Sequence, residues 1–502
     1  MIDARRLHDG GATLRPGWVA RLLGQDIEWR TAQARALARL HQALTDRDLA
    51  RAEQVAADQR MRDAQAMAAR AQAARAAALE HRATLMALEA EAQTLYGETF
   101  GAAFWEGDHA AIHTASPWAD PALVEARDQL FSAAVALHRA FLDAAAKPMK
   151  SNLALMMDHL KGRRLPSGAA AHLDALWDSF FLLVPVVSTT FASFDRLMEG
   201  LGEASTGWLI VDEAGQATPQ AAVGALWRAR RALIIGDPLQ IEPVSTLPAG
   251  LVRSIFANRG AHPDLWAAPR ASVQTLADAA SPLVATVGWG VDTRRIGMPL
   301  LVHRRCQDPM FSISNAIAYD GLMVHATPAS DSPIRRALSV IAPTSAWLDV
   351  ASSSAKWSPR EGQAVLALLE RLADQGARDP DLYLIAPFRE VADALRGLIV
   401  RSGVLDRLGV PPGRHKRWGE TRVGTVHTFQ GKEAEAVILV LGASADASRG
   451  SRNWAGGTPN ILNVAVTRAR KALYIVGRHE VWRTAGVFAE AAAALPVTRL
   501  EP

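Results

Sequence analysis

Two apolar runs that end in charged motifs lie close together in the chain, WLIVDEAGQ at residues 208–216 and ALIIGDPLQIEP at residues 232–243. Continuous apolar runs of this kind are typical of strands that a parallel sheet buries on both faces. The stretch between them, PQAAVGALWRAR, fits the crossover helix that joins neighbouring parallel strands. The pattern therefore predicts an α/β fold in which both motifs lie side by side at the carboxyl edge of one sheet.

The same pattern of short apolar runs followed by polar residues continues along the chain from Pro185. Further apolar runs are PVVSTT, LYLIAPF, AVILVLG and ALYIVG, and helical patterns such as EGQAVLALLERLAD and REVADALRGLIV accompany them. Two doubly wound parallel-sheet layers would account for these runs. We place the boundary between the layers near residue 300, after the stretch VGWGVDTRRIGMP.

The N-terminal part of the chain has a different composition. Residues 27–95 consist mainly of Ala, Arg, Gln, Glu and Leu and contain neither Pro nor Gly. These strong helix formers predict one long helix or a helical hairpin, packed as a stalk or coiled coil. Its arginines could contact a nucleic-acid backbone or the helix could bind a protein partner, although a solvated face is the more common reason for such charges. Residues 101–184 read as the helical remainder of this domain.

Bulk composition narrows the class of protein. The 502 residues are 49% hydrophobic and 21% charged, as in an ordinary globular protein of two or three domains. A single cysteine, Cys306, excludes an internal disulfide and a multi-cysteine metal site. The sequence shows neither a signal peptide nor an apolar segment of membrane-spanning length, so we expect a cytoplasmic protein. The small basic excess, 55 − 51 = 4, does not identify a nucleic-acid partner by itself.

Polar residues at the ends of the two leading strands suit a nucleoside-triphosphate site. Asp212 would hold Mg²⁺, usually through water, and Glu213 would orient and deprotonate the attacking water. The Gln240 amide could hydrogen-bond a terminal phosphate or that water, and the alternative, a helix N-cap formed by Asp237, is the less favoured reading once the two motifs are taken together. Each motif alone is weak evidence, and their pairing strengthens the interpretation.

Taken in order, the motifs resemble those of a known family. DEAGQ followed by GDPLQ is similar to motifs II and III of superfamily 1 helicases, particularly the branch that includes the nonsense-mediated-decay helicase. The resemblance extends over residues 186–480 through STTFASF, VHRRCQDPMF, VGTVHTFQGKEAEAVIL and NILNVAVTRARKALYIVG, which look like the motif before the DEAG strand and motifs IV, V and VI. Six motifs in family order are far more specific than any one of them.

The resemblance implies two RecA-like layers, the first incomplete, that bind ATP and Mg²⁺ in the cleft between them. Catalytic roles fall on Asp212, Glu213, Gln240, Arg305 and Arg468, with Asp212 also as metal ligand. The nucleotide would contact Gln216, Gly236, Asp237, Arg304, Gly431 and Glu433, of which Arg304 stands where the family usually has an aromatic residue. Contacts to strand phosphates fall on Ser188, Thr189, Thr190, Thr425 and Thr428. The motif VI helix is expected to expose Arg468 and Asn463 near the cleft.

One essential element of that family is missing from the sequence. No G-x-x-x-x-G-K-[ST] phosphate-binding loop occurs, and the one Gly-Lys pair, Gly431-Lys432, lies inside motif V and precedes a glutamate. Either the chain is a fragment of a longer helicase that carries the loop, or it is a degenerate paralogue that binds without turnover. We favour the fragment, because the other phosphate-facing residues look intact.

These observations predict a domain order and a function. The predicted order is an N-terminal segment, a stalk, the helical remainder of the stalk domain, a partial first RecA-like domain, a second RecA-like domain and a tail, at residues 1–26, 27–100, 101–184, 185–299, 300–490 and 491–502. The leading hypothesis is an ATP-dependent helicase or translocase on single-stranded DNA or RNA. A catalytically inactive nucleic-acid or protein binding module is the alternative, and a different class of P-loop ATPase is a weaker third reading.

Overall fold

The computed structural model describes residues 25–97, 101–245, 247–260, 262–287, 294–342, 344–351 and 355–500. Most of the predicted N-terminal segment, the end of the predicted tail and the centre of the stretch VGWGVDTRRIGMP lie outside the described residues. The chain divides into two compact units, Met1–Glu106 and Gly107–Pro502. The predicted boundary near residue 300 falls within the second unit and stays a prediction.

The first unit is dominated by a single helix, α1 (Gln25–Tyr96), which is followed by the short α2 (Ala102–Trp105). Because no Pro or Gly interrupts this run of helix formers, one continuous helix forms instead of a hairpin. Its large apolar side chains, such as Met67 and Leu95, are exposed along its length. Whether α1 packs as a coiled coil stays a prediction. Within the described ranges, no helix combines the length and apolar character needed to cross a membrane.

A helical region opens the second unit. Asp108 and Asp120 cap the first two of its helices by accepting hydrogen bonds from backbone amides of the first turn. The later helices enclose a small core around Met156, Trp177 and Phe194. The helices are α3 (His109–Thr114), α4 (Pro121–Ala144), α5 (Ala146–Leu160), α6 (Ser167–Ala170), α7 (Leu173–Leu183) and α8 (Phe191–Leu197).

The first sheet has two short parallel strands, β1 (Leu209–Val211) and β2 (Ala232–Ile234), joined through α9 (Val223–Arg228). Val211 points into a small cluster with Ala214, Ala222 and Val273. The opposite face is uncovered, because its large apolar side chains are 41–62% exposed: Trp208, Ile210, Leu233 and Ile235. A parallel sheet normally has both faces covered, so this layer is incomplete, as the sequence predicted.

The prediction of a strand at PVVSTT is wrong. Residues 184–190 have no regular secondary structure, and Val186 is 78% exposed. An apolar run becomes a strand only when a neighbouring strand accepts its backbone hydrogen bonds, and this segment does not pair with β1.

A connecting region links the two sheets. It contains an antiparallel pair, β3 with β4, and a short parallel pair, β5 with β6. The elements are α10 (Ala249–Asn258), α11 (Pro263–Trp266), α12 (Val273–Ala280), β3 (Ala285–Val287), β4 (Arg294–Ile296), β5 (Val302–His303), α13 (Met310–Ala318) and β6 (Val324–His325).

The second sheet is complete and holds the main hydrophobic core. Its six strands run parallel in the order β12-β7-β11-β10-β8-β9. The central strands are almost wholly buried, as their continuous apolar sequences predict. The strands are β7 (Ala346–Asp349), β8 (Leu382–Ala386), β9 (Val423–Thr425), β10 (Ala434–Val440), β11 (Ala469–Val476) and β12 (Val497–Arg499).

Helices flank this sheet, so the second layer is an α/β fold with two covered faces. Three of them carry candidate site residues or lead into candidate motifs, namely α18, α19 and α20. The helices are α14 (Pro333–Leu338), α15 (Pro359–Asp374), α16 (Arg389–Arg401), α17 (Val404–Arg407), α18 (His415–Arg422), α19 (Arg449–Gly456), α20 (Asn460–Thr467), α21 (His479–Trp482) and α22 (Phe488–Ala494).

A buried carboxyl group joins α15 to the end of β10. Glu361 is fully buried, and its Oε2 accepts a hydrogen bond of 2.7 Å from the Gly442 amide. Its other oxygen has no hydrogen-bond partner. Burial raises the pKa of Glu361 to about 8, and the Gly442 bond only partly opposes this shift. The folded protein therefore carries a neutral carboxyl at this position under mildly acidic conditions.

This carboxyl predicts how stability depends on pH. The unfolded side chain ionises near its ordinary pKa of 4.5, whereas the folded one stays protonated up to about 8, so the free energy of unfolding falls as pH rises between these values. Glu361→Gln removes that dependence. As pH rises through the interval, its free energy of unfolding should increase relative to that of wild type by up to about 1.4 kcal/mol per pH unit. Denaturant unfolding at a series of pH values measures the difference.

Glu370→Gln, on the same helix but half-exposed, is the matched control and should follow the wild-type profile. Parallel pH profiles for wild type and Glu361→Gln would contradict the prediction.

Candidate functional site

The turn after β1 holds the two predicted carboxylates. Asp212 Oδ1 accepts a hydrogen bond of 2.9 Å from the Glu213 amide. Glu213 itself has left-handed backbone angles, φ 53° and ψ 39°, and precedes the 3₁₀ turn Ala214–Gln216. A non-glycine residue in this conformation is strained, and such strain is frequent at functional sites. The turn places both carboxylates at the carboxyl edge of the first sheet.

The Glu213 carboxylate meets residues of both layers. Gln216 Nε2 donates to Glu213 Oε2 at 2.9 Å within the same turn. Gln430 follows β9 in the second layer. Its Nε2 lies 3.5 Å from the same oxygen, which makes a long and therefore weak hydrogen bond. Motifs II and V thus converge on one carboxylate oxygen.

Two glycines allow the motif II and motif III loops to pack backbone against backbone. A Cβ on Gly215 would lie 2.8 Å from the Asp237 carbonyl oxygen. A Cβ on Gly236 would lie 2.7 Å from the Gly215 nitrogen and 2.8 Å from the Ala214 nitrogen. Real side chains do not tolerate such distances, so these two positions require glycine. Close packing fixes the two predicted motifs relative to each other.

The motif III loop is hydrogen-bonded to the second layer. Asp237 accepts hydrogen bonds from the Leu239 amide at 2.9 Å, from Gln240 Nε2 at 3.1 Å and from the Tyr319 hydroxyl. Asn463 Nδ2 on α20 donates to the Leu239 carbonyl at 3.2 Å and to the Tyr319 hydroxyl at 3.0 Å. Burial, with the Asp237 charge adding to it, raises the pKa of Tyr319, so its hydroxyl stays protonated as a donor.

Tyr319 is a functional candidate that the sequence interpretation missed. It follows α13 in the stretch SNAIAYDG, where nothing in the pattern indicates a contact with motif III. Asn460 also donates to the Gln240 carbonyl, which adds a second contact between α20 and motif III. The Gln240 Oε1 is buried without a hydrogen-bond partner, so its capacity as an acceptor is unused.

A chain of alternating charges runs along the second layer. Arg305 Nε lies 3.0 Å from Glu433 Oε2, and Arg470 lies 3.7 Å from the other Glu433 oxygen. Arg470 also pairs with Asp381 at 2.8 Å, and Asp381 pairs with Arg422 at 3.1 Å. Glu433 thus orients Arg305 here, while its contact with a nucleotide stays a prediction. Arg470 and Asp381 were not among the predicted residues.

The predicted exposure of Arg468 and Asn463 is wrong. Arg468 is 1% exposed and Asn463 is fully buried. Arg468 lies at the end of α20, and its guanidinium turns back to donate to the Val464 and Lys432 carbonyls at 3.2 and 3.0 Å. Carbonyls at a helix C-terminus have no partner within the helix, which explains why the side chain folds inward. Burial lowers the pKa of Arg468, and the nearby Arg305 lowers it further.

Two neighbours of Arg305, His303 and Cys306, are uncharged at neutral pH. Burial, reinforced by Arg305, lowers the pKa of His303 to about 4, and His303 Nε2 accepts a hydrogen bond of 2.9 Å from the Cys306 amide. Burial raises the pKa of the Cys306 thiol to about 12, so it is not a reactive thiolate. Arg304 and Arg305 are exposed and therefore accessible to a ligand.

The predicted strand-contacting hydroxyls fall into two groups. Ser188, Thr189 and Thr190 are exposed in the segment that leads into α8. Thr425 and Thr428 flank the turn after β9, with their hydroxyl oxygens 3.4 Å apart. Gly431, two residues beyond that turn, has a positive φ of 73° that suits glycine. Accessibility is compatible with the predicted roles, which stay predictions.

The carboxylates could hold only a metal ion that takes further ligands from elsewhere. Among the residues that the structure describes, no group of three or more His, Cys, Asp or Glu side chains is placed to hold a metal ion. Asp212 and Glu213 are adjacent carboxylates, and Mg²⁺ is commonly bound by one or two carboxylates together with phosphates and water. The donor set therefore fits Mg²⁺ bound together with a phosphate group.

Comparisons with known proteins agree with the motif order. Two protein-family models, each described as an AAA domain, match residues 150–246 and residues 296–480. The chain is 22% identical over 319 residues to the DNA replication ATP-dependent helicase/nuclease DNA2 of Mus musculus, which covers 61% of this chain and 27% of that protein.

Two further relatives are similarly distant. The DNA replication ATP-dependent helicase/nuclease JHS1 of Arabidopsis thaliana is 23% identical over 295 residues, covering 53% of this chain and 18% of that protein. The DNA-binding protein SMUBP-2 of Mesocricetus auratus is 26% identical over 304 residues, covering 58% of this chain and 27% of that protein. The chain thus spans about a quarter or less of the length of the curated relatives it matches.

The glycine packing between motifs II and III predicts a severe local effect of one methyl group. Gly236→Ala would force the Gly215 and Ala214 backbone away, and we expect a loss of about 1–3 kcal/mol in the free energy of unfolding. Hydrogen exchange, read by mass spectrometry, should become faster in residues 209–217 and 232–240.

Gly250→Ala is the matched control, because nothing lies within 4 Å of its Cβ position on α10. That helical site should be neutral or gain up to about 1 kcal/mol. Equal stability of the two alanine variants would show that the close approach does not matter.

Proposed function

We propose that this chain is the motor part of an ATP-driven helicase or translocase on single-stranded DNA or RNA, because residues 150–246 and 296–480 match AAA-domain models and distant relatives include an ATP-dependent helicase/nuclease and a DNA-binding protein. The first layer contributes motifs II and III, and the second contributes motifs IV, V and VI. Opening and closing of the cleft between them would move one layer along the strand.

The convergence of both layers on Glu213 carries the proposal. The carboxylate that would act as base for water lies within 3.5 Å of Gln430 from motif V, and the charges of Glu213 and Arg305 both act on Arg468. A general base near arginines from the facing layer is the arrangement that phosphoryl transfer requires, because negative charge develops on the transferred phosphate.

ATP and Mg²⁺ are the cofactors that we propose. Asp212 would hold the ion, and the ion would neutralise charge on the phosphates when bound. Gln216, Gly236, Asp237, Gly431 and Glu433 would contact the nucleotide, and the exposed guanidinium of Arg304 could stack on the base. Gln240 would accept a hydrogen bond through its unpartnered Oε1, which suits water better than phosphate.

Arg305 is the arginine that can reach a terminal phosphate without rearrangement of the helix. Its side chain is 44% exposed and is held by Glu433. Arg468 is enclosed and would stabilise the loop that carries Lys432 unless α20 shifts on nucleotide binding. We therefore assign Arg305 the contact with the transferred phosphate and leave Arg468 a secondary role.

The strand would bind without sequence specificity. Ser188, Thr189 and Thr190 on the first layer and Thr425 and Thr428 on the second offer hydroxyls and backbone amides, and contacts of this kind to phosphates read no base. A non-catalytic binding module is the second candidate function. It is favoured by one observation, the absence of a G-x-x-x-x-G-K-[ST] loop from the 502 residues. Turnover requires that such a loop be supplied in cis or by another subunit.

Phosphate release from ATP distinguishes the two functions. With the phosphate-binding loop supplied by a longer form of the chain or by another subunit, we expect single-stranded DNA or RNA to speed phosphate release, and Glu213→Gln to lower the rate at least about a hundredfold, because it removes the base but keeps the shape. Glu203→Gln, an exposed glutamate away from the motif, is the matched control and should match wild type. No strand-stimulated release with the loop supplied would reject the motor function and leave the binding module.

Strand binding provides a second measurement. The binding module predicts affinity that falls steeply with salt and is the same for wild type and Glu213→Gln, whether or not ATP is present. The motor predicts that ATP changes strand affinity in Glu213→Gln, because the variant would bind ATP without hydrolysing it. Fluorescence anisotropy of a labelled oligonucleotide at several salt concentrations measures both.

A further inference from the structure

A cavity separate from the predicted motor residues lies behind motifs II and III. Its volume is about 360 Å³, within the range of about 300–1,000 Å³ that small-molecule sites occupy. One wall is formed by Gly215 and Pro238, which belong to motifs II and III. The opposite wall comes from the connecting region, from α11 through α12 to β4. Asp212, Glu213 and Gln240 are not among the residues that line it.

The side chains around this cavity combine an aromatic ring with two cations. Trp266, at the end of α11, is half-exposed and lines the cavity together with Arg270 and Arg295. Glu242 is the acidic side chain on the motif III wall. A half-exposed indole beside arginines is the composition by which proteins stack a nucleobase and bind its phosphate.

Two other polar lining residues are already satisfied by each other. Ser272 and Thr275 form a capping box at the start of α12, in which each side chain bonds the backbone amide of the other. The cap holds α12 in place as one wall of the cavity. Val273, the next residue, donates to the Ala217 carbonyl at 2.9 Å and fixes this wall against motif II.

The cavity lies where an occupant would act on both candidate catalytic loops. Gly215 is in backbone contact with Asp237, and Pro238 is the next residue in the chain. The two loops carry Glu213 and Gln240. A ligand between α11 and these loops would therefore limit their movement without touching the carboxylates.

We propose that this cavity binds one nucleotide unit. The base stacks on Trp266, the phosphate lies between Arg270 and Arg295, and Glu242 accepts a hydrogen bond from an exocyclic amino group of the base. Either a free nucleotide or one nucleotide of a single strand supplies this chemistry. The assignment rests on the cavity itself and does not require that the chain hydrolyse ATP.

Photo-crosslinking tests the proposal with the same base in two forms. The purified chain is irradiated with azido-AMP or with an oligodeoxyadenylate that carries azidoadenine, and mass spectrometry identifies the labelled peptides. We expect labelling of the segment that contains Trp266, and Trp266→Ala should lower it at least about fivefold, the loss of one base stack. Trp227→Ala is the matched control, because Trp227 and Trp266 are each 50% exposed, and it should leave labelling unchanged.

A second variant tests the phosphate contact. In wild type, AMP should compete with the label better than adenosine does, because AMP carries the phosphate. In the double variant with Arg270→Gln and Arg295→Gln, AMP and adenosine should compete equally. Labelling by the oligonucleotide alone assigns the site to a strand, and labelling by azido-AMP alone assigns it to a free nucleotide. No labelling near Trp266 in either form, or equal labelling of wild type and Trp266→Ala, would overturn the proposal.

Discussion

The hydroxyl group of Tyr319 lies between the two layers, beside the contacts that Asn460 and Asn463 make with motif III. It donates to Asp237 in motif III and accepts from Asn463 in motif VI. Asn463 is in turn fixed by the Ser314 hydroxyl, which donates to it at 2.7 Å. Because Asp237, Tyr319, Asn463 and Ser314 are linked by hydrogen bonds in one chain, the network favours one relative position of motifs III and VI. The position of Gln240 and the distance between Glu213 and Gln430 depend on it.

The second layer adds an electrostatic constraint of a different kind. Arg305 is exposed, and an exposed arginine alone would sample many rotamers. The alternating chain through Glu433, Arg470 and Asp381 confines it, and networks of several charges hold geometry better than isolated pairs. The chain ends at Arg422, directly before β9, so the arginine that we assign to phosphate is linked to the strand that leads to Thr425. A change of charge at one end would alter the other.

The sequence predicted elements whose signal is local and missed contacts that depend on tertiary structure. The strands β8, β10 and β11 were readable because a strand buried on both faces must be continuously apolar. The run PVVSTT begins with apolar residues but lacks a pairing strand, and no local pattern shows whether a partner is present. The face of a helix that carries Arg468 is also ambiguous from sequence, because a long side chain can turn back to the helix C-terminus. Arg470 lies inside motif VI but its pattern gives it no role, and Tyr319 and Asp381 lie in no motif, so all three become visible only through their partners.

Motif III has a structural part to play as well as its proposed chemical one. A two-stranded sheet with strands of three residues is marginal by itself, and one face of β1 and β2 is uncovered. Ile241, one residue after Gln240, is buried in the main core of the second layer. The motif III loop therefore anchors the incomplete first layer to the complete second one, through Ile241 as well as through the Tyr319 network. A loop that holds the layers together and also contacts a nucleotide would transmit strain from the bound ligand directly to their interface.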